Sequence, residues 1–389
     1  MKVWILIFIC MFSMPLLVAV LHFRMRKGQI LKIRQDYVKD ARYFGKSFSA
    51  LVEKALPEMK NGTIMLSRQE KVLEADGNQE FAQPDIEDLV IARNTVFCPQ
   101  QNDLHFQKEI YSEKDALFVK ENIRLRAVYS KKRLLFGNKI RLLRWADAEY
   151  AVAVYDECDL GERVSSGEQL VIGFDNVFHS LYAPVIRLGQ RPEEPDRFME
   201  DRDPRIFRMP VMNRYEYNRH YIDDDMVTES GTVPYTIISR GDIKVIEDII
   251  LQGDIHSDGA VRIMENASVL GNIFAENDIL LEKNVTVLGD IFTQGNIIFE
   301  EGASAGQPGK ITSVVARGTI TFYGGNYVYG YVVSEGGGKI LKSDREGLGE
   351  YCFPSEPVHE EKITFRDLSE YENVSFQGFR GDIYVKEAV

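Results

Sequence analysis

Three consecutive blocks of 18 residues decide the fold: Gly253–Leu270 reads GDIHSDGAVRIMENASVL, Gly271–Leu288 reads GNIFAENDILLEKNVTVL and Gly289–Gly306 reads GDIFTQGNIIFEEGASAG. From Ile237 to Ala303 an aliphatic residue or alanine falls on every sixth position, through Ile243, Ile249, Ile255, Val261, Ala267, Ile273, Ile279, Val285, Ile291 and Ile297. No helix has that period. A second apolar series runs two residues behind the first, at Val245, Leu251, Ile263, Val269, Ala275, Leu281, Val287 and Phe299, broken by Ser257 and Thr293. Each hexad therefore reads as a short strand with two inward side chains.

The turn residues carry a longer period. Gly241, Gly259, Asn277 and Gly295 are 18 apart, and Gly253, Gly271 and Gly289 interleave with them at the same spacing. Three hexads make one rung. Gly and Asn tolerate a positive φ, which the corners between such short strands are expected to use. After an interruption at Gly306-Gln307-Pro308-Gly309 the rhythm resumes at Gly318, Gly330 and Gly336. The pattern predicts an all-β solenoid, a β-helix of about six rungs over residues 233–345. A single rung buries some six small apolar side chains, worth about 1.5 to 3 kcal/mol each for the larger ones. It fixes 18 backbone units at about 1 to 2 kcal/mol apiece. Only a stacked array is stable, and its ends must be capped or paired.

Length and charge bound the rest. A chain of 389 residues has room for two or three folding units. The net charge of -12 and a pI near 5.2 argue against nucleic acid as a partner, since that needs a basic footprint. Cys10, Cys98, Cys158 and Cys352 form no C-x-x-C pair, so neither a disulfide framework nor a zinc site is indicated.

Val3 to Leu21 is a run of 19 residues without a charge, and residues 1–23 are expected to be a single-pass transmembrane anchor. A cleaved signal peptide is the alternative, but no A-x-A-like site is present. The basic cluster Arg24, Arg26, Lys27, Lys32 and Arg34 follows the run, which places the bulk of the chain on the cytoplasmic side of the inner membrane and offers contacts to anionic lipid. Residues 24–61 carry a helical stripe, Ile30, Ile33, Tyr37, Val38, Ala41, Phe44, Phe48, Leu51, Val52 and Ala55, expected as a juxtamembrane stalk or a helix packed on the solenoid. Residues 62–88 read as a linker. From 89 to 189 strands return with a weaker repeat: Ile110-Tyr111-Ser112 recurs 18 residues on as Val128-Tyr129-Ser130. This is read as a degenerate solenoid half, with an unrelated small β domain as the alternative. Residues 190–232, rich in charge and proline and ending near Asp223-Asp224-Asp225, read as an inserted polar loop, and 346–389 as a C-terminal tail.

No residue set announces chemistry. His22, His105, His179, His220, His256 and His359 are scattered without metal-ligand spacing, and no cofactor site is expected. Asp223-Asp224-Asp225 reads as a solvated acidic run before a cation site. Gly336-Gly337-Gly338 lacks the lysine of a phosphate loop and reads as a turn. The outward positions say more. Stacking in register puts Phe274 above His256 and below Phe292, and on a second face Leu280 and Ile298 above Arg262 and Lys244. These apolar outward residues are the candidate surface for self-association or a partner.

The repeat Gly253-Asp254-Ile255, Gly271-Asn272-Ile273, Gly289-Asp290-Ile291, with paired inward aliphatics, resembles the bactofilins, bacterial polymer-forming cytoskeletal proteins. The resemblance covers Gly241 to Leu341. It implies a right-handed β-helix that assembles end to end without nucleotide, associates with membranes, and positions cell-envelope or cell-shape proteins; it supplies no catalytic residues. The competing class is enzymatic. Hexapeptide-repeat acyltransferases share the 18-residue rung, but place a small or acidic residue after the aliphatic, where this chain has Lys244, His256, Arg262, Phe274 and Phe292. A carbohydrate-active β-helix enzyme would need an outward carboxylate cluster.

Overall fold

The computed structural model describes residues 40–81, 83–99, 103–192, 219–222, 226–227, 231–234, 236–342, 361–364 and 382–385, together with Met14. The chain divides into two units, Met1–Ala41 and Arg42–Val389. In the second unit the hexads become strands of two or three residues that turn through three faces and stack in parallel. Ile255 lies opposite Ile273 and Ile273 opposite Ile291; on the next face Val261, Ile279 and Ile297 align, and on the third Val269 and Val287. Every residue of the first apolar series from Ile237 to Ala303 is at most 1% exposed. A period of six can bury both series only in this way.

The repeat reaches further than its legible part. Residues 89–189 form a true solenoid: Val90, Ile110, Val128, Ala146, Val164 and Leu181 align in one inward column, and Phe97, Phe118 and Phe136 begin another. The expected linker 62–88 is instead strand over Thr63–Met65, Gln69–Phe81 and Asp85–Ile86, and supplies the first rung. Its polarity misled the reading because a terminal rung has a neighbour on one side only. Part of the expected loop is strand too, since Arg219–Ile222, Met226–Val227 and Thr232–Val233 pair with the first legible rung. The whole makes a β-solenoid of about 12 turns. The helix of the 24–61 region spans Tyr43–Ala55 (α1), followed by a 3-10 turn at Leu56–Glu58. Apart from Met14, the anchor Val3–Leu21 lies outside the described residues, as do the basic cluster Arg24 to Arg34 and Asp223-Asp224-Asp225. Among the described residues no helix is long and apolar enough to cross a membrane.

The two halves run in opposite directions and meet at their last rungs. Asn176–Leu188 and Asn326–Ile340, each wrapping through all three faces, pair antiparallel from Asn176 opposite Ile340 through Leu181 opposite Val332 to Leu188 opposite Asn326. The first residue of each strand faces the last of the other, as in an isologous interface, here within one chain. Gly336-Gly337-Gly338 is therefore not a turn: it lies inside the final strand. The missing side chain at Gly338 makes room for the Phe178 ring, which occupies the place a Cβ would take.

The corners use two devices. Left-handed residues recur at Asp248, Asn266, Asn284 and Gly302, and in the first half at Asn122, Lys139, Glu157 and Asp175. The glycines of the Gly-Asx-Ile corners are not left-handed. Gly271 and Gly289 are required by close approach, because a Cβ on Gly289 would run into the Gly271 carbonyl oxygen of the rung before. The Asx that follows then pins the next rung: Asp254 Oδ1 accepts from the Asn272 N–H at 2.7 Å, and Asn272 Oδ1 from the Asp290 N–H at 2.8 Å.

Gly289→Ala is therefore expected to lower the urea midpoint by the equivalent of about 1 to 3 kcal/mol, whereas Asn284→Gly, at a φ of 59°, is expected to change it by no more than a few tenths of that. Equal effects at the two sites would contradict the assignment of corners.

Candidate interaction surface

Because the halves stack face on face, their outward residues form three walls that continue through the junction. One wall begins with Glu74, Ile91, Tyr111, Tyr129, Asp147, Ser165 and Tyr182, and crosses to Tyr331. In the first half α1 covers it. Phe48, Val52 and Ala55, spaced to share one side of a helix, pack on Ile91, Tyr111, Tyr129 and Trp145, with the Phe48 ring 5.7 Å from Trp145 and 6.4 Å from Tyr111.

Charged groups fix the helix over that apolar seat. Arg42, at its start, donates Nε to Asp147 Oδ1 at 2.8 Å, Nη2 to Oδ2 at 3.0 Å and Nη1 to Glu149 at 3.1 Å. Ser165 adds a hydrogen bond to Asp147 at 2.7 Å, and the Tyr129 hydroxyl donates to Glu149 at 2.7 Å. Burial pushes the Asp147 carboxyl up to about 6 against the pull of Arg42. Gly45 is needed here, since a Cβ would strike the Asp147 side chain. Two turns further on, Glu53 accepts from Lys131 at 2.9 Å, Ser49 at 3.0 Å and Tyr111 at 3.3 Å. The Lys131 hydrogen bond, helped by Ser49 and Tyr111, holds Glu53 below its ordinary carboxylate range.

In the second half the same side of the solenoid carries a stripe of a different kind. Ile238, His256, Phe274, Phe292, Val315 and Val333 stack in register over six rungs, all half-buried. The His256 and Phe274 rings are 4.8 Å apart and 11° from parallel; Phe274 and Phe292 are 5.5 Å apart and 5° from parallel. Such stacks contribute about 0.5 to 1.5 kcal/mol per pair beyond their buried area. Leu280 and Ile298, also half-buried, belong to the neighbouring wall, in register with Arg262 and Lys244. The four apolar residues thus form two stripes and not one patch. Arg262 turns to Glu282, with Nε at 2.6 Å.

Two of the histidines have a defined setting. His256 is a member of an aromatic stack, and His105 lies 3.3 Å from Asp85 on another wall. Among the described residues no group of three or more His, Cys, Asp or Glu could hold a metal ion. Cys158 is buried, which pushes its thiol up to about 12, far from a reactive thiolate. Sequence reasoning missed the junction; it offered a helix packed on the solenoid as one reading of residues 24–61 without placing its seat. The only signals were the long strands without a Gly-Asx corner at Asn176 and Asn326, and the tyrosines that directly follow the inward aliphatics Ile110, Val128 and Leu181.

Arg42→Ala leaves the Asp147 carboxylate buried without its guanidinium, at a cost of about 3 to 5 kcal/mol if it stays ionised. The expected result is loss of amide-exchange protection in Tyr43–Ala55 with the rungs still protected. Glu53 adds a pH dependence. Its carboxyl titrates lower when folded than its ordinary 4.5, so its contribution is complete above that value and is lost as pH falls through the folded one. Glu53→Gln should therefore flatten the acid limb of α1 protection; an unchanged limb would show that Glu53 does not hold the helix.

Comparison with family models, with curated proteins and with solved structures finds no match for this chain.

Proposed function

We propose that this chain is a membrane-anchored, bactofilin-like scaffold that self-associates and positions cell-envelope or cell-shape proteins at the cytoplasmic face of the membrane. The observation that carries this reading is the half-buried stripe from Ile238 to Val333, with the ring stack His256, Phe274 and Phe292 at its centre. A row of apolar groups in register at the strand repeat of about 4.8 Å presents a straight, uniform surface, suited to lying along a second straight element. The same side of the first half seats a helix through aromatic and aliphatic side chains. Walls of a solenoid are thus built in this chain to hold other elements.

The anchor proposed at Val3–Leu21 serves the same end. Confining copies to a plane raises their effective concentration, so contacts too weak to act in solution can assemble them. The junction constrains how they assemble: two of the four solenoid ends are already paired with each other. Association through the sides is then the route the stripe supports.

Phe274→Ser with Phe292→Ser leaves both inward series intact. The rungs are expected to melt within a few degrees of the parent, while sedimentation of the chain in detergent or nanodiscs shows loss of the self-associated species. A parent chain that is monomeric at every concentration, or a double variant that associates as before, would overturn the reading.

A further inference from the structure

The third wall is the anomaly of the molecule. Val96, Leu117, Leu135, Ala153 and Val171 align in register on the outward side of the first half. They are 0%, 5%, 1%, 0% and 0% exposed. They are not core residues: their chain neighbours Phe97, Phe118, Phe136, Val154 and Ile172 point inward and make up the core. An outward column beside an inward one belongs in water, and its members should be polar, as they are at Arg124 and Arg141 on the open wall. Five consecutive apolar residues, all dry, require a cover.

The described elements narrow the choice of cover. α1 is committed to the first wall. The strand Ala151–Val154, in the middle of the dry column, is touched by the strand Asp382–Val385 of the C-terminal hairpin. That strand pairs antiparallel with Glu361–Thr364, with Lys362 opposite Tyr384, and the two form a sheet of their own. Reach is no obstacle, since the 20 residues between Ile340 and Glu361 span up to about 66 Å when extended, against about 10 Å for two rungs. We propose that this hairpin is the cover: the outward column Val96 to Val171 is an apolar docking surface whose occupant is the C-terminal hairpin of the same chain.

The hairpin shares no ladder with the solenoid among the described residues. It can therefore leave without unpairing a rung, and its departure would open an apolar surface about five rungs long. The assignment stands on the burial of the column and the Ala151–Val154 contact, independent of the scaffold reading.

Two variants of the full chain test it, one on each partner. Ala153→Arg places a charge in the middle of the seat. Amide exchange in 361–364 and 382–385 is expected to quicken at least tenfold, with Ile123–Ser130 still protected. Tyr384→Pro removes the N–H opposite Lys362 and leaves the solenoid untouched. The expected result is a several-fold rise in fluorescence of an apolar dye, at an unchanged urea midpoint. Hairpin exchange at the parent rate in a folded Ala153→Arg chain, or no added dye binding by Tyr384→Pro, would overturn the proposal; should Ala153→Arg not fold, the Tyr384→Pro result decides alone.

Discussion

A strand in a stacked solenoid hydrogen-bonds to the rung above and the rung below, so the last rung of any such stack presents a row of unpaired N–H and C=O groups. The rest of this structure follows from how that requirement is met. Asn176–Leu188 and Asn326–Ile340 are each the terminal rung of one half, and each satisfies the other along all three faces. The pairing buries Arg187 opposite Tyr327 and brings the Tyr182 and Tyr331 rings to 4.6 Å. Beyond it, Gln190 Nε2 donates to the Tyr327 hydroxyl at 3.0 Å. At the opposite end of the first half the solution differs. The short strand Thr63–Met65 folds back on Gln69–Lys71, and the remaining edge carries Glu74, Asp76 and Glu80, charges that discourage another strand from adding.

Fixing the halves end to end has a consequence for function. It merges two short solenoids into one with continuous walls, so that the character of each wall can be read along its full length. One wall is wet and charged around Arg124, Arg141 and Lys339. A second seats α1 in the first half and carries the aromatic stripe in the second. The third is dry from Val96 to Arg187 and on through Tyr327, Ser304 and Thr286. These distinctions run along the axis, and on the second wall they include the seat that holds α1 along the side of the solenoid.

Much of the fold was legible in the sequence because a hexad is a short-range signal. Ile255, Ile273 and Ile291 announce both the strand and its neighbour, since the period itself encodes the contact. The register of Phe274 on Phe292 and of Leu280 on Ile298 followed from the same arithmetic. The first half was harder to read, because its rungs vary between 16 and 21 residues, as in Gln169 opposite Val185 and Thr95 opposite Ala116. The junction was not legible at all. It joins residues such as Ser180 and Val333, for which no period exists, and Gly338 looks like a turn until Phe178 is placed against it. The corner glycines were found for the wrong reason: steric approach between rungs, and not a left-handed φ, excludes a side chain at Gly271 and Gly289.

Reversal of chain direction at the junction is the claim on which the rest depends, and a single disulfide tests it. In antiparallel strands, directly opposed residues have Cα atoms about 4.5 to 5.5 Å apart, within the range a disulfide spans. Ser180→Cys with Val333→Cys, oxidised in dilute solution and mapped by mass spectrometry of the digested chain, is predicted to give an intramolecular link between these two positions in nearly every molecule, with the thermal midpoint retained or raised. Failure of the pair to link, or linkage only between separate chains, would contradict a tail-to-tail junction and with it the continuous walls.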